Sequence, residues 1–196
     1  MGGTRRAFGL ACAVVGCVAM LGPASSEAAD VAVPVPLQGE LLLKVAAYDK
    51  NLAARAMGKV HVLIVVRPGD LASEHAAKQM EQTLGGAATI GGMPHDEATV
   101  PFEGAGALVK TVKQRHAAIV YLTPGFDEGE LGDVATAFTG VDVLTVGALA
   151  TYVPHGTVLG FDLVSSKPKL LCHLGQAKKQ NVAFKAEVLK LMRVYE

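Results

Sequence analysis

Covalent catalysis needs a nucleophile held against an oriented base. Past residue 28 the chain offers Ser73, Ser165, Ser166 and Cys172 as its serine and cysteine nucleophiles. No Gly-x-Ser-x-Gly elbow surrounds any of the serines. Ser73 falls where a helix should start, which suits a cap, and Ser165-Ser166 falls in a hairpin turn. Cys172 sits among Leu170, Leu171 and Leu174. Two readings fit it: a small buried strand residue, or a reactive thiol free for an intermolecular bridge. The histidines (His61, His75, His95, His116, His155, His173) are scattered, without His-Glu-x-x-His or a close pair on one helical face. His95-Asp96-Glu97 is the one dense run of ligand types and reads as a solvated loop. Gly104-Ala105-Gly106 resembles half of a dinucleotide fingerprint, but Val109 stands at the third glycine position and Glu103 adds negative charge. These residues give no catalytic set, no metal site and no cofactor site.

One site argument survives, and it is topological. In open parallel sheets, ligands bind beyond the carboxyl ends of the strands. Three loops qualify: Arg67-Pro68-Gly69-Asp70, Thr123-Pro124-Gly125 and Gly147-Ala148. If their strands run parallel, Arg67, Asp70, Thr123 and Gly147 share one edge, which could take a small ligand or a partner loop. Three ordinary turns are the other reading.

The elements that would position this edge alternate. Lys59–Val66 (KVHVLIVV) and Ala117–Leu122 (AAIVYL) are near-continuous apolar runs, as in strands covered on both faces. Val141–Val146 and Val158–Val164 form a further pair around Pro154-His155-Gly156. Helices are expected over Leu37–Ala56, from Asp70 or Ser73 to Leu84, over Glu103–Arg115, Asp127–Phe138 and Val182–Tyr195. Weak strands are expected at Ala87–Ile90 and Ala98–Phe102. Strand–helix alternation predicts a parallel sheet. After Phe161, Ser165-Ser166-Lys167-Pro168 reads as a hairpin into Lys169–His173. The expected fold class is α/β: a single three-layer domain, a mostly parallel central sheet of about six strands, an antiparallel edge near the C-terminus, and flanking helices. That domain covers residues 37–196, after an extended Val/Pro-rich lead-in at 29–36.

Residues 1–28 read as a cleaved export signal. Arg5 and Arg6 precede an apolar Ala7–Leu21, Gly22-Pro23 breaks it, and small residues follow. Cleavage after Ala28 is the reading adopted; a cut after Ser26 also fits. Thr4–Leu10 resembles a twin-arginine signal as well as an ordinary Sec leader, and Val14–Cys17 resembles a lipoprotein box that would anchor the chain at Cys17. Every variant implies export to the periplasm. Acidic and basic residues balance, 18 against 18. The late lysines and arginine (Lys167, Lys169, Lys178, Lys179, Lys185, Lys190, Arg193) are spread over two elements and read as a solvated face. Neither feature suits a nucleic-acid groove.

Val141–Val164, LTVGALATYVPHGTVLGF at its centre, resembles the YfiR-like family of bacterial periplasmic proteins. In that family a strand starting Leu-Thr-Val-(Gly/Ser) leads through a short helix and a Gly turn to a strand ending Gly-Phe. Lys44–Tyr48 resembles part of its opening helix, and KAEVLKLMRVYE its closing run. The resemblance implies a non-enzymatic periplasmic regulator. It would bind the periplasmic part of an inner-membrane sensor, typically a diguanylate cyclase held inactive, or a kinase, and so act on cyclic-di-GMP signalling. It also makes a homodimer plausible. The family's frequent paired cysteines are absent here. The alternative is a periplasmic small-ligand-binding module without a signalling partner; a periplasmic enzyme ranks last.

Overall fold

The computed structural model describes residues 33–196, with Met1 and Gly2. The expected leader, its cleavage after Ala28, anchoring at Cys17 and residues 29–32 of the lead-in fall outside the described residues. Seven strands form one sheet in the order β2-β1-β3-β4-β5-β6-β7: β1 Val60–Val66, β2 His95–Pro101, β3 Ala117–Leu122, β4 Leu144–Gly147, β5 Leu159–Val164, β6 Lys167–His173 and β7 Met192–Tyr195. The first five run parallel, β6 lies antiparallel to β5, and β7 runs parallel to β6. This is the mostly parallel α/β sheet expected, with one more strand.

Every residue of β3 is buried, and β1 is buried but for His61 and Val66. Alternate side chains serve opposite faces. Val60, Val62, Ile64, Ile119 and Tyr121 meet helices α1 (Val35–Ala46) and α3 (Leu71–Gly85), chiefly through Leu42, Val45, Met80 and Leu84. Leu63, Val65, Val120 and Leu122 meet α4 (Ala105–Arg115) and α5 (Glu128–Ala137) through Leu108, Val112, Leu131, Val134 and the adjoining Phe138. A sheet with helices on both faces is the three-layer arrangement.

Four expectations change. The helix expected over Leu37–Ala56 is two: α1, with Pro near its first turn, and α2 (Leu52–Ala56). Between them Asp49 is buried, pairs in an isolated bridge with Phe184, and accepts Arg55 Nη1 at 2.8 Å. That need for a backbone and a charge partner breaks the helix. Strand β2 begins at His95, so His95-Asp96-Glu97 is edge strand. His95 Nδ1 meets Glu97 Oε1 at 2.5 Å and its Nε2 meets Ala87 O at 3.0 Å, while Asp96 meets His61 Nδ1 at 2.5 Å and Lys59 Nζ at 2.9 Å. The weak strand expected at Ala87–Ile90 is irregular chain, and the Ile90–Met93 bridge closes the Gly91-Gly92 turn that follows it. The closing helix expected over Val182–Tyr195 is a short α7 (Ala186–Leu189) followed by β7; Val188 and Met192 are buried in two different elements, and Lys185 is exposed. The sheet therefore ends on a parallel strand, one place beyond the antiparallel one.

The expected hairpin is present with a tighter turn: Lys167 and Pro168 already belong to β6, and Ser165 and Ser166 both take positive φ, 51° and 61°, the geometry of a two-residue hairpin turn.

Candidate functional site

The carboxyl ends of β1, β3 and β4 lie level, because Leu122 pairs with Val65 on one side and Gly147 on the other. The loops that follow are tied to one another. Thr123 Oγ1 donates to Val65 O at 2.7 Å and lies 2.5 Å from Ser73 Oγ, which accepts Arg67 N–H at 2.8 Å. Asp70 caps α3, its Oδ1 accepting from Ala72 N at 2.9 Å and Ser73 N at 3.1 Å. Arg67 Nη1 pairs with Glu130, and this raises the guanidinium pKa above its ordinary value. Glu130 completes a capping box with Asp127, whose side chain accepts Glu130 N–H at 2.8 Å.

Tyr152, in a single 3-10 turn at Ala150–Tyr152, joins the third loop to the second. Its hydroxyl donates to Thr123 O at 3.2 Å and accepts Phe126 N–H at 2.9 Å. The ring needs the room Gly147 leaves: a Cβ there would stand 2.7 Å from Tyr152 Cβ. Gly125, at φ 103°, adopts backbone that side chains avoid, and a Cβ there would collide with the Asp70 carboxylate. Underneath, Gln38 of α1 accepts the Tyr121 hydroxyl at 2.8 Å and donates to Val33 O at 2.7 Å and Ala148 O at 3.0 Å. Burial pushes the Tyr121 and Tyr152 phenols up, so both stay neutral hydroxyl donors.

Beside this edge lies a cavity of about 290 Å³, walled by Phe126, Leu131, Tyr152, Asp127, Glu128 and His155. Phe126 stacks edge-on with Phe102 at 4.9 Å and with Tyr152 at 6.3 Å. His155 Nε2 stands 3.4 Å from Glu128. The amino ends of α3 and α5 are filled by their own Asp70 and Asp127 carboxylates, so neither is free for an anion. The Ser73 hydroxyl faces Thr123 and a backbone N–H, neither of which is a base. Among the described residues no three His, Cys, Asp or Glu side chains stand close enough to hold a metal ion.

Of the four residues read from sequence, Arg67, Asp70 and Thr123 come together, and Gly147, level with Leu122 at the end of β4, is linked to them through Tyr152. Ser73, Phe126, Glu130 and Tyr152 complete the edge. The Asp127-x-x-Glu130 spacing of the capping box is visible in the sequence; the tie from Tyr152 to Thr123 is not. Cys172 is fully buried in β6, and burial pushes its thiol up to about 11. The Gly104 helix entry has no side-chain cap.

No family model and no curated protein matches the chain. Solved structures do. One is an ABC domain in complex with L-Trp from Streptococcus pneumonia, with TM-score 0.61 and 9% identity, over 83% of this chain and 62% of that one. A conserved domain protein from Vibrio cholerae gives TM-score 0.51 and 15% identity, over 85% and 61%. A ligand-free, open substrate-binding protein with adhesive properties from Clostridium difficile gives 0.52 and 9%, over 75% and 58%. The chain thus spans under two thirds of the length of each, and the likeness is one of fold.

Proposed function

We propose that this chain is an exported, non-enzymatic binding module that takes a small ligand at the carboxyl edge of its parallel strands. The observation that carries the reading is the convergence of three strand-end loops into one hydrogen-bonded edge beside an aromatic-walled cavity of about 290 Å³. A pre-formed concave site with aromatic walls and a few fixed polar groups is how small ligands are held. Two of the solved structures of similar fold are an ABC domain in complex with L-Trp and a substrate-binding protein. Among the described residues no helix is long and apolar enough to cross a membrane. The test is a melting-temperature screen of the purified protein against amino acids, sugars, nucleosides and amines, with calorimetry on each hit. A saturable ligand weakened by Glu128→Gln and His155→Ala, both on the rim, supports the reading. A screen without hits, or hits indifferent to both substitutions, overturns it.

A second reading is a YfiR-like regulator of an inner-membrane sensor. What favours it is the resemblance over Val141–Val164, which here builds β4, the 3-10 turn and β5, and so supplies Gly147 and Tyr152 to the edge. In-cell crosslinking in the envelope tests it: recovery of a membrane protein carrying a cytoplasmic cyclase or kinase domain supports it. Recovery of the protein alone counts against it.

A further inference from the structure

A second concave surface lies on the other face of the sheet. Its walls are Leu41 and Val45 of α1, Tyr48 in the turn that follows, Leu170 of β6, and Val188 and Leu191 around α7, enclosing about 220 Å³. Leu191 is 64% exposed and Tyr48 40%, and the neighbouring Val194 of the edge strand β7 is 41% exposed. Folding leaves these apolar side chains in water although the core beneath them is closed. Such a concentration of exposed apolar surface marks an interaction site.

The rim says what covers it. Lys44 and Lys185 flank Tyr48, with Lys185 Nζ 5.8 Å from the Tyr48 ring centroid, and Lys190 precedes Leu191. All three lysines are exposed, and among the described residues none has a carboxylate partner within 4.0 Å. Glu187 is the one acid in the groove wall. Two unpaired ammonium groups, Lys44 and Lys185, beside an apolar slot complement apolar anchors flanked by carboxylates. The groove is concave and carries an acid in its wall, so it fits a peptide better than an anionic bilayer.

We propose that this groove docks an acidic amphipathic peptide segment of a partner protein, its apolar residues against Tyr48, Val188 and Leu191 and its carboxylates on Lys44 and Lys185. The site is separate from the strand-end cavity, so the two can be filled independently.

The experiment is selection of a random peptide library displayed on phage against the immobilised protein, with counter-selection on Leu191→Asp. Enriched sequences are resynthesised and their binding followed by fluorescence anisotropy. Leu191 and the lysines are exposed, so the substitutions should leave the melting temperature unchanged, and this is measured alongside. The expected result is enrichment of peptides pairing apolar anchors with Asp or Glu. Their affinity should fall about tenfold or more on Leu191→Asp and on Lys44→Glu/Lys185→Glu, and weaken with salt. Failure to enrich any peptide, or enriched peptides without an acidic bias, overturns the proposal. So does binding indifferent to Leu191→Asp. Phosphatidylglycerol vesicles that bind the protein while no peptide does would assign the patch to a membrane. Light scattering that shows a dimer abolished by Leu191→Asp would assign it to a second copy.

Discussion

Arg55 is the residue on which most of one end of the molecule depends. Its Nη1 meets Asp49 at 2.8 Å, its Nε meets Asp142 at 2.7 Å, and its Nη2 donates to Asn181 O at 3.1 Å. The Arg55 and Asp49 side chains are both buried. Removing one partner of such a pair strands the other charge. Arg55→Met should therefore cost about 3–5 kcal/mol in chemical denaturation, while the paired replacement Arg55→Met/Asp49→Leu should recover a good part of that loss. Cys172 gives a second prediction. Its folded pKa is raised to about 11 by burial, against about 8.5 unfolded. The stability this contributes is fully present below the unfolded value and is lost as pH rises through the folded one. At pH 8 the native protein should not react with a thiol-labelling reagent, and should react fully once unfolded. The burial of Cys172 is legible from its leucine neighbours. The Arg55 clasp is not, because its partners stand 6, 87 and 126 residues away.

The six-residue helix α6 (Leu174–Lys179) starts on an unusual cap: His173 Nδ1 accepts Gln176 N–H at 3.3 Å. Burial first, and the charge of Lys179 second, lower the His173 pKa. A depressed folded pKa means the neutral ring contributes stability above its unfolded value, about 6.5, and that this is lost as pH falls through the folded value. Protection of the Gln176 amide against hydrogen exchange should drop over that acid range, and His173→Asn should abolish the pH dependence while keeping a cap. At Gly147 the crowding under Tyr152 predicts that Gly147→Ala destabilises by about 1–3 kcal/mol, with loss of the strand-end cavity's ligand response. Strands β1 and β3 are legible because β-branched and apolar residues fill them, with His61 the one interruption. The closing segment is not: Val182, Lys185, Val188, Leu189 and Met192 fall largely at three-residue helical spacing, yet they are divided among a loop, a short helix and a strand. Periodicity alone cannot separate one long element from several short ones whose buried residues happen to share a spacing.

For the whole molecule, the parallel alternation and the level strand ends follow from the order of elements, so Arg67, Asp70 and Thr123 could be grouped before any coordinates. What closes the edge, Tyr152 on Thr123 and Arg67 on Glu130, depends on long-range packing that no local pattern records. Strand β4 sits in the middle of the sheet, and the core on the α1 face includes Val146, Leu159, Phe161 and Cys172. A chain ending at Gly140 loses these, and β3 loses one of its two neighbours. Such a truncation should show no cooperative melting by circular dichroism; a soluble fragment with a sharp transition would contradict this.

The strand order also dictates a timetable. β2 lies beside β1 and, from β4 to β7, each strand lies beside the one made just before it; β3 alone reaches back past its predecessor, to the other side of β1. A polypeptide emerging amino end first thus finds its docking edge already built at every later step. The sheet can lengthen like a ratchet, one strand per increment of emerging chain. Assembly finishes with a four-residue ribbon at the rim, the first piece to peel away under pulling force.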